Sequence, residues 1–564
     1  MFARIKKSGK YQYLQIVANR KVKSKVKQTV IATIGRLDQL QQKDRMEILI
    51  RSLSRYSEKV LLILSQRSNL TVQGKKIGPA LIFERLWRET GVEAAIKRHL
   101  VHCQFEFDVE RAIFLTVLHR LMVSGSDRSG ITWSQGHRIR GIEGLSLHHL
   151  YRAMAFLGEE LTDQAGAPPF SPRCVKDLIE EDLFFARRTL FSSLNLVFFD
   201  TTSLYFEGAG GRTLGRRGNN KDGHPDLKQM VVAAVLDNQG VPLCCELWPG
   251  NTTDVKTLIP IADRLRKRFH LTDVCLVADR GMISKATLTT LEAPDNVQPY
   301  ILGVRMRKVK EIREKVLSDP NPLAVVVDEG DAAHDPAPLQ VKEVKVNDRR
   351  YIVCFNPKQA RKDAADREAI LASLREHLLK GARQLVGNKG YRKYLSIKPG
   401  SVTVDEAKVT AEARYDGTWV LTTNIDLSAA ETALRYKDLW MIERFFREFK
   451  SGIGTRPVYH KVDETIRGHV FCSFLALVIR KELERRLTAA GHQFEWDDIK
   501  RDLAALQEFR ISESGTTFAV RSECEGTCGK IFQAVRVSIP ATIRVVESGH
   551  DSPQRAPEGL ASNQ

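Results

Sequence analysis

The stretch LNLVFFDTTSLYFE, residues 194–207, decides the fold. Its apolar run LVFF ends abruptly at Asp200, and such a run is typical of a strand buried on both faces of a sheet. A second apolar run, in VCLVADRG, ends in the same way at Asp279. Aspartate often follows a strand only because it starts a turn. Two buried strands that end in aspartate, followed by a helix that carries Glu443, instead predict three carboxylates that converge on one cleft.

Converging carboxylates repel one another, so their charge calls for a hard cation with oxygen ligands, typically Mg²⁺. The third acid lies on a helix predicted from about Ser428, where Tyr436, Glu443 and Lys450 are spaced by seven and seven residues. This spacing places the three on one stripe of a continuous helix. An ordinary amphipathic helix whose glutamate reaches solvent explains the same pattern.

The charge balance of the chain indicates a polyanionic partner. Its 564 residues have room for three or four domains, and 87 Lys and Arg against 68 Asp and Glu give a net charge of +19. Residues 1–60 alone carry 15 basic and 4 acidic side chains. We therefore expect nucleic acid, ahead of a membrane surface, as the partner. The nine cysteines have no framework of spacings, and no apolar run approaches the ~20 residues of a membrane span, which predicts a soluble protein of the reducing cytoplasm.

The chain is predicted to comprise six regions. They are a basic β-hairpin arm (1–40), a helical DNA-binding region (41–190), the first part of a core (191–303), an inserted mainly-β subdomain (304–425), the second part of the core with the Glu443 helix (426–490) and a C-terminal region with a disordered tail (491–564). Glycines around Gly144 and the basic helix after it favour a helix-turn-helix DNA reader. A solvated charged hairpin and a plain helical bundle are the alternatives for the first two regions.

Within the predicted insertion, two hairpins are expected. The first turns at Asn347–Asp348, and the second, in AKVTAEARYDGTWVLTTN, turns at Asp416–Gly417. A basic helix over residues 359–386 is predicted between them.

A glycine-rich basic loop, GAGGRTLGRRGNNKDGHPDLK, follows the Asp200 strand. It lacks the G-x-x-x-x-G-K-[ST] order of a phosphate-binding P-loop, so no use of ATP is implied. Its basic side chains, with the arginine after the second acid, are instead candidates to contact a DNA backbone beside the acids. These candidates are Arg212, Arg216, Arg217, Lys221, Lys228 and Arg280.

Several motifs together resemble the DDE transposases of bacterial insertion sequences, in the superfamily with the signature Y-x2-R-x3-E-x6-K. Tyr436, Glu443 and Lys450 match that spacing, whereas Leu439 stands where the arginine is expected, with Lys437 or Arg444 as candidates to replace it. The runs FFDTTSLYFE, KDGHPDLKQMVVAAVLDNQGVPL, WPGNTTD and VADRGM are similar as well. The resemblance covers roughly residues 195–485.

The resemblance implies an α/β fold: an RNase H-like mixed-sheet core with an inserted mainly-β subdomain, preceded by the basic arm and the helical region. Asp200, Asp279 and Glu443 would hold two Mg²⁺ ions, for which Mn²⁺ substitutes, and act in phosphoryl transfer. The implied activity is cleavage of DNA at the terminal inverted repeats of the element and joining of those ends to target DNA, by a homodimer in a nucleoid-associated synaptic complex.

Trp419 is a further candidate implied by similar transposases, in which a tryptophan stacks on a base flipped out of a DNA hairpin. Filling of the β-subdomain core is the alternative for this side chain. Two other activities stay open for the whole chain. One is a metal-dependent nuclease on the same core without strand transfer, and the other is a non-catalytic DNA-binding repressor.

Overall fold

The computed structural model describes residues 2–22, 25–40, 71–164, 167, 171–187, 196–219, 221–271, 274–327, 337–380, 389–398, 401–513 and 516–546. The chain divides into two compact units. One unit joins residues 1–151 to residues 479–564, and the other contains residues 152–478. The tail predicted to be disordered from about Ser548 lies outside the described residues.

The strands of the described chain are given first. They are β1 (Phe2–Ser8), β2 (Tyr11–Val22), β3 (Lys25–Arg36), β4 (Thr71–Lys76), β5 (Leu196–Tyr205), β6 (Gln229–Asp237), β7 (Pro242–Pro249), β8 (Cys275–Ala278), β9 (Tyr300–Gly303), β10 (Ala324–Val327), β11 (Leu339–Val346), β12 (Arg349–Phe355), β13 (Leu395–Lys398), β14 (Ser401–Val404), β15 (Thr418–Thr423), β16 (Gln507–Glu513), β17 (Thr516–Arg521) and β18 (Ile543–Val546).

The α-helices of the described chain follow. They are α1 (Leu37–Leu40), α2 (Gly78–Glu89), α3 (Val92–Leu100), α4 (Val109–Met122), α5 (Asp127–Ser134), α6 (Leu147–Leu157), α7 (Val175–Arg187), α8 (Leu258–Phe269), α9 (Lys285–Leu291), α10 (Pro357–Lys380), α11 (Lys389–Arg392), α12 (Glu406–Ala413), α13 (Ala429–Lys437), α14 (Trp440–Arg447), α15 (Asp463–Ala489), α16 (Trp496–Ala505) and α17 (Cys528–Val535). No helix in the described ranges is long and apolar enough to cross a membrane.

The core of the unit of residues 152–478 is a mixed sheet. Strands β5, β6 and β7 pair antiparallel in sequence order, and β8 and β9 continue the sheet in parallel on the other side of β5. The apolar run of β5 is buried on both faces, since Val197, Phe198 and Phe199 are each 0% exposed. Three antiparallel strands followed by two parallel ones form an RNase H-like core, which confirms the predicted fold class.

The segment between the second and third acids extends this same sheet. Beyond β9 the order continues with β15, β12, β11 and β10. The hairpin predicted at Asn347–Asp348 is confirmed: Val346 pairs with Arg349, and both turn residues have positive φ, as a two-residue type I′ turn requires. A smaller core forms separately where α10 packs near β13 and β14, around Leu371, Leu374, Tyr394 and Leu395.

The second predicted hairpin of this segment is wrong. The stretch EAKVTAEA is the helix α12, and only β15 is a strand. Asp405 caps this helix, because its side chain accepts a hydrogen bond from the backbone N–H of Lys408. Alanine, glutamate and lysine have high helix propensity, which outweighs the weak alternation in the sequence. The basic helix predicted over residues 359–386 is α10, and residues 381–388 lie outside the described residues.

The other unit is built from both ends of the chain. Strands β1, β2 and β3 form an antiparallel sheet, of which β2 and β3 correspond to the predicted basic hairpin. A second sheet has the order β18-β17-β16-β4, so a strand before residue 80 pairs with one after residue 500. Helix α2 packs against α16 and α17, with the rings of Phe83 and Trp496 6.3 Å apart.

Candidate active site

Asp200 lies in the middle of β5, between β6 and β8. The backbone N–H of Thr201 donates to Asp200 Oδ1 at 2.7 Å. Burial, together with the negative charges of Asp279 and Asp254, raises the pKa of the Asp200 carboxyl to about 6, against the opposing effects of Lys221 and the Thr201 N–H. The raised pKa of Asp200 therefore reflects burial first and the neighbouring carboxylates second.

Asp279 directly follows β8, the strand that lies parallel to β5. Phe199 pairs with Ala278 across the parallel strands β5 and β8, so the residues that follow them, Asp200 and Asp279, emerge side by side. The hydroxyl of Tyr436, on α13, donates to Asp279 Oδ1 at 3.1 Å. Burial, followed by the charge of Asp279, raises the pKa of Tyr436 well above its usual range, so the phenol keeps its proton. A side chain at Gly303 would collide with the Tyr436 hydroxyl, which explains a glycine at this position of β9.

A third aspartate joins these two and was not predicted as a site residue. The hydroxyl of Thr201 donates to Asp254 Oδ1 at 2.8 Å. Lys221 Nζ lies 3.2 Å from Asp254 Oδ2 and donates to the carbonyl oxygen of Thr201 at 2.9 Å. The sequence signal was the run WPGNTTD, which ends on Asp254. Lys221, predicted as a DNA contact, therefore lies within the aspartate cluster.

Glu443 approaches from α14, which packs against β5 and β6 through a buried face that includes Ile442, Phe445 and Phe446. The Glu443 side chain itself is exposed. The oxygens of Asp200, Asp279 and Glu443 do not form a group in which all lie within 4.8 Å of one another. The structure thus brings the two aspartates together and places Glu443 on a helix against their strand, without closing the triad.

The helix that carries Glu443 is not continuous. Helix α13 begins after the Ser428 cap as predicted, but it ends at Lys437, and α14 begins at Trp440. A wider π-helical turn follows over Glu448–Gly452. The prediction that Tyr436, Glu443 and Lys450 share one stripe of a continuous helix is therefore wrong, because they lie on three separate helical segments.

Lys450 instead connects this region to the glycine-rich loop. Lys450 Nζ donates to Asp222 Oδ1 at 2.8 Å, and Arg456 Nη1 lies 2.5 Å from Asp222 Oδ2. Burial raises the pKa of Asp222, but the hydrogen bonds and charges of the two bases outweigh it and hold the pKa below its usual value. Burial lowers the pKa of Lys450, against the opposing effect of Asp222. The loop is thus fixed to the third-acid region at Asp222 and to the first-acid strand at Lys221.

The remaining basic candidates differ in their surroundings. Arg212, Arg216 and Arg217 are exposed on the loop. Lys228 donates to the carbonyl oxygen of Ala209 at 2.7 Å. Arg280, next to Asp279, is exposed.

The signature arginine has no direct replacement at its own position. Leu439 is buried, and Lys437 Nζ donates to the carbonyl oxygen of Ala337 at 2.6 Å. Arg444 lies exposed on α14. A guanidinium that the sequence did not single out, Arg305, donates to the carbonyl oxygens of Arg280 and Gly281 and so reaches the loop after Asp279.

Trp419 lies near the start of β15, paired with Cys354 of β12. Leu421, two residues on, pairs with Gly303, so Trp419 shares the face of the sheet on which Tyr436 lies. Within the described residues, the buried Trp419 Nε1 has no hydrogen-bond partner. Trp419 is therefore a residue of the central sheet, and its indole N–H donor is unused within the described residues.

The donor chemistry at this site suits a hard divalent cation, although the oxygens of Asp200, Asp254 and Asp279 do not all lie within 4.8 Å of one another either. Asp200, Asp254 and Asp279 supply carboxylate oxygens, which Mg²⁺ prefers. Lys221 brings one positive charge to them.

Comparison with known proteins identifies the family of the chain. Residues 192–479 match the family model described as transposase DDE domain, and residues 3–67 match the N-terminal domain of the IS1634 family transposases. No curated protein sequence matches the chain. One similar solved structure is a cryo-EM structure of the piggyBac transposase synaptic complex with hairpin DNA, at 11% identity, with 76% of this chain and 79% of that chain covered and a TM-score of 0.37.

The DDE model spans more than half of the chain, and its range includes Asp200, Asp279 and Glu443. The resemblance drawn from the sequence motifs is confirmed. The family implies DNA as the partner and a divalent metal as the cofactor. The chain belongs to the DDE transposases of insertion sequences.

Proposed function

We propose that this transposase binds the terminal inverted repeats of its element, cleaves the element ends and joins them to target DNA. The observation that carries the proposal is the emergence of Asp200 and Asp279 side by side from adjacent parallel strands. Carboxylates in this position hold the cations that phosphoryl transfer requires, and α14 supplies Glu443 from the neighbouring layer.

Asp200, Asp279 and Glu443 are proposed to hold two Mg²⁺ ions, for which Mn²⁺ substitutes. Bound there, such ions lower the pKa of the attacking water or 3′-hydroxyl and stabilise the leaving oxygen. The Tyr436 hydroxyl orients the Asp279 carboxylate. Lys221 balances part of the aspartate charge, and Lys450 holds the loop that carries Lys221 through Asp222.

The DNA backbone is proposed to lie along the exposed arginines Arg212, Arg216 and Arg217, with Arg280 and Lys228 flanking them. Tyr436 and Lys450, which match two positions of the family signature, are proposed to contact DNA phosphates. Arg305 supplies positive charge near Asp279 in the absence of the signature arginine. Trp419 is proposed to stack on a flipped base during second-strand cleavage. We further propose that the protein acts as a homodimer in a synaptic complex on nucleoid DNA in the cytoplasm, without ATP.

The test uses the purified full-length protein with duplexes that carry the element ends and their flanks, with and without Mg²⁺. We expect cuts at the ends only with Mg²⁺, and joining of precut ends to a target duplex. Cutting without joining would favour a nuclease, and binding without cutting would favour a repressor. The control replaces Mg²⁺ with Ca²⁺, which is expected to bind the carboxylates without supporting cleavage.

A further inference from the structure

A basic cleft lies in the unit formed by the two ends of the chain. Its volume is about 570 Å³, and all of its lining residues belong to that unit. Glu89 is the one acidic residue among them. The basic lining residues are Arg85, Arg485, Arg486, Lys530 and Arg536.

Carboxylates hold three of these arginines in place. Glu89 pairs with Arg85 at 2.5 Å and with Arg486 at 2.5 Å. Glu482 accepts from both Nε and Nη2 of Arg485, at 2.9 and 2.8 Å, and from Nε of Arg486 at 2.6 Å. A guanidinium has five N–H donors, so each arginine keeps donors for a ligand while its orientation is fixed.

The other two bases have no carboxylate partner in the described part of the chain. Lys530 Nζ lies 5.7 Å from the centre of the Phe494 ring. Arg536 follows the end of α17 with φ 58°. Both side chains are exposed, so the cleft presents uncompensated positive charge to solvent.

Helix ends explain only part of this arrangement. Arg486 lies in the last turn of α15 and Arg536 just after α17, where positive charge complements the helix dipole, but Arg85 and Arg485 lie before the last turns of α2 and α15. Lys530 lies in the first turn of α17, where the dipole disfavours a cation. A ligand with negative charge accounts for Lys530 as well as for the four arginines.

We propose that this cleft binds the phosphate backbone of duplex DNA, as a second contact besides the catalytic site. The inference rests on the proposed function, in which DNA is the substrate. It adds that the DNA-binding surface includes α15 and α17, from the C-terminal part of the chain, together with α2 from the N-terminal part.

The test measures binding of labelled duplexes of about 30 base pairs by the full-length protein without divalent metal, between about 50 and 200 mM salt. Lys530→Gln/Arg536→Gln removes two charges that make no ion pair in the described chain. We expect weaker binding of element-end and random duplexes alike, because phosphate contacts are independent of sequence. The log–log salt slope is expected to fall by about 0.9 for each phosphate that the variant no longer neutralises.

The control, matched in net charge, is Lys97→Gln/Arg501→Gln, which removes two exposed charges in the same unit outside the cleft; both of these are ion-paired, Lys97 with Glu93 and Arg501 with Asp498. A second variant, Gln533→Arg, adds a base to the lining and is expected to steepen the slope. Melting temperatures of all variants separate binding from folding.

An unchanged salt slope for both cleft variants would overturn the inference. An equal loss of binding in the control variant would also overturn it, because net charge alone would then explain the effect. A lower melting temperature with an unchanged slope would assign the bases to the helix ends. Calorimetric binding of inorganic phosphate that the double variant abolishes, with DNA binding intact, would assign the cleft to a small anion. Absence of any duplex binding by the wild-type protein would instead contradict the proposed function.

Discussion

Two clusters of carboxylates in residues 152–478 differ in how their charge is balanced. In the first, Asp177, Glu180 and Glu246 are almost completely buried between α7, β7 and α8. Arg268 pairs with all three, at 3.3, 2.9 and 3.1 Å. Lys176 pairs with Asp177 at 2.6 Å, and Arg264 pairs with Glu246. Each acid of this network therefore has a basic partner, although burial still raises the pKa of Glu180 against the charges of Lys176 and Arg268.

The second cluster, at the edge of the sheet, has three aspartates and one nearby lysine. Lys221 pairs with Asp254, while Asp279 accepts a hydrogen bond from the neutral Tyr436. The three buried acids of the first cluster are thus paired with two arginines and a lysine. The three aspartates of the second cluster share one lysine. A site that binds a cation requires such a difference. The first three predictions below each change one of the two clusters, and the last concerns a residue outside both.

The largest effect is expected from removing charge at the sheet edge. Asp200→Asn, Asp279→Asn and Glu443→Gln should each lower cleavage and joining by at least about 100-fold, equivalent to about 2.7 kcal/mol in the barrier. Binding of the element ends should stay nearly intact, because each change conserves size. Product formation on labelled ends measures the effect, and Asp263→Asn, an acid on α8, is the control. If a variant still cuts at more than a few per cent of the wild-type rate, the residue that it replaces does not have the proposed catalytic role.

In the first cluster, which contains Asp177, Glu180 and Glu246, Arg268→Met should destabilise the fold without a direct effect on metal binding. Removal of one partner from a buried ion network leaves uncompensated charge, which costs about 3–5 kcal/mol. Urea denaturation measures the change in stability. Arg266→Met, on the same helix, is expected to cost less than about 1 kcal/mol because its ion pair is more exposed. Similar stability of the two variants would mean that the network is not a structural element.

The third prediction concerns pH and metal at Asp200. Its pKa rises on folding from 3.8 to about 6, so the protonated carboxyl favours the folded state below about pH 4, and this contribution is lost as the pH rises through 6. Without metal at pH 7.5, Asp200→Asn should therefore be more stable than wild type, by up to about 3 kcal/mol.

Added Mn²⁺ should reverse that order, because it stabilises the wild-type carboxylate and not the amide. Thermal unfolding from pH 4 to 8, with and without Mn²⁺, measures both effects. If wild type and variant keep the same difference in melting temperature across this range, burial of the Asp200 charge has no thermodynamic consequence.

The smallest effect is expected at Trp419, which belongs to neither cluster. Trp419→Ala should leave the first nick intact and slow the second-strand step, since base stacking contributes about 1–3 kcal/mol. Trp419→Phe should slow it less. A time course of nicked, hairpin and fully cut DNA separates the steps. Equal reduction of all products, with a lower melting temperature, would assign the tryptophan to packing.

The sequence correctly predicted features that depend on residues close together in the chain. Apolar runs that end in Asp200 and Asp279 marked β5 and β8, the Asn347–Asp348 turn marked a hairpin, and Ser428 marked a helix start. Contacts between distant segments were not predictable in this way. The pairing of Lys221 with Asp254 requires the loop to fold back over β5, which no local periodicity records.

The helix break between Lys437 and Trp440 escaped prediction for a related reason. The sequence there has neither proline nor glycine, and Leu439 is buried by packing that the local pattern does not specify. The extension of the central sheet by β15 and β12 likewise depends on pairing with β9, across more than 100 residues of chain.

The pairing of β4 with β16 has a consequence for synthesis. Lys76 lies opposite Gln507, more than 400 positions later, so β4 leaves the ribosome long before its neighbour exists. At about 5–20 residues per second this delay is roughly 20–90 s. The catalytic sheet, complete by residue 478, has time to form first. A nascent chain that ends before residue 479 lacks four of the five bases of the cleft and three of the four strands of the β4 sheet, so neither can form until the later residues are made.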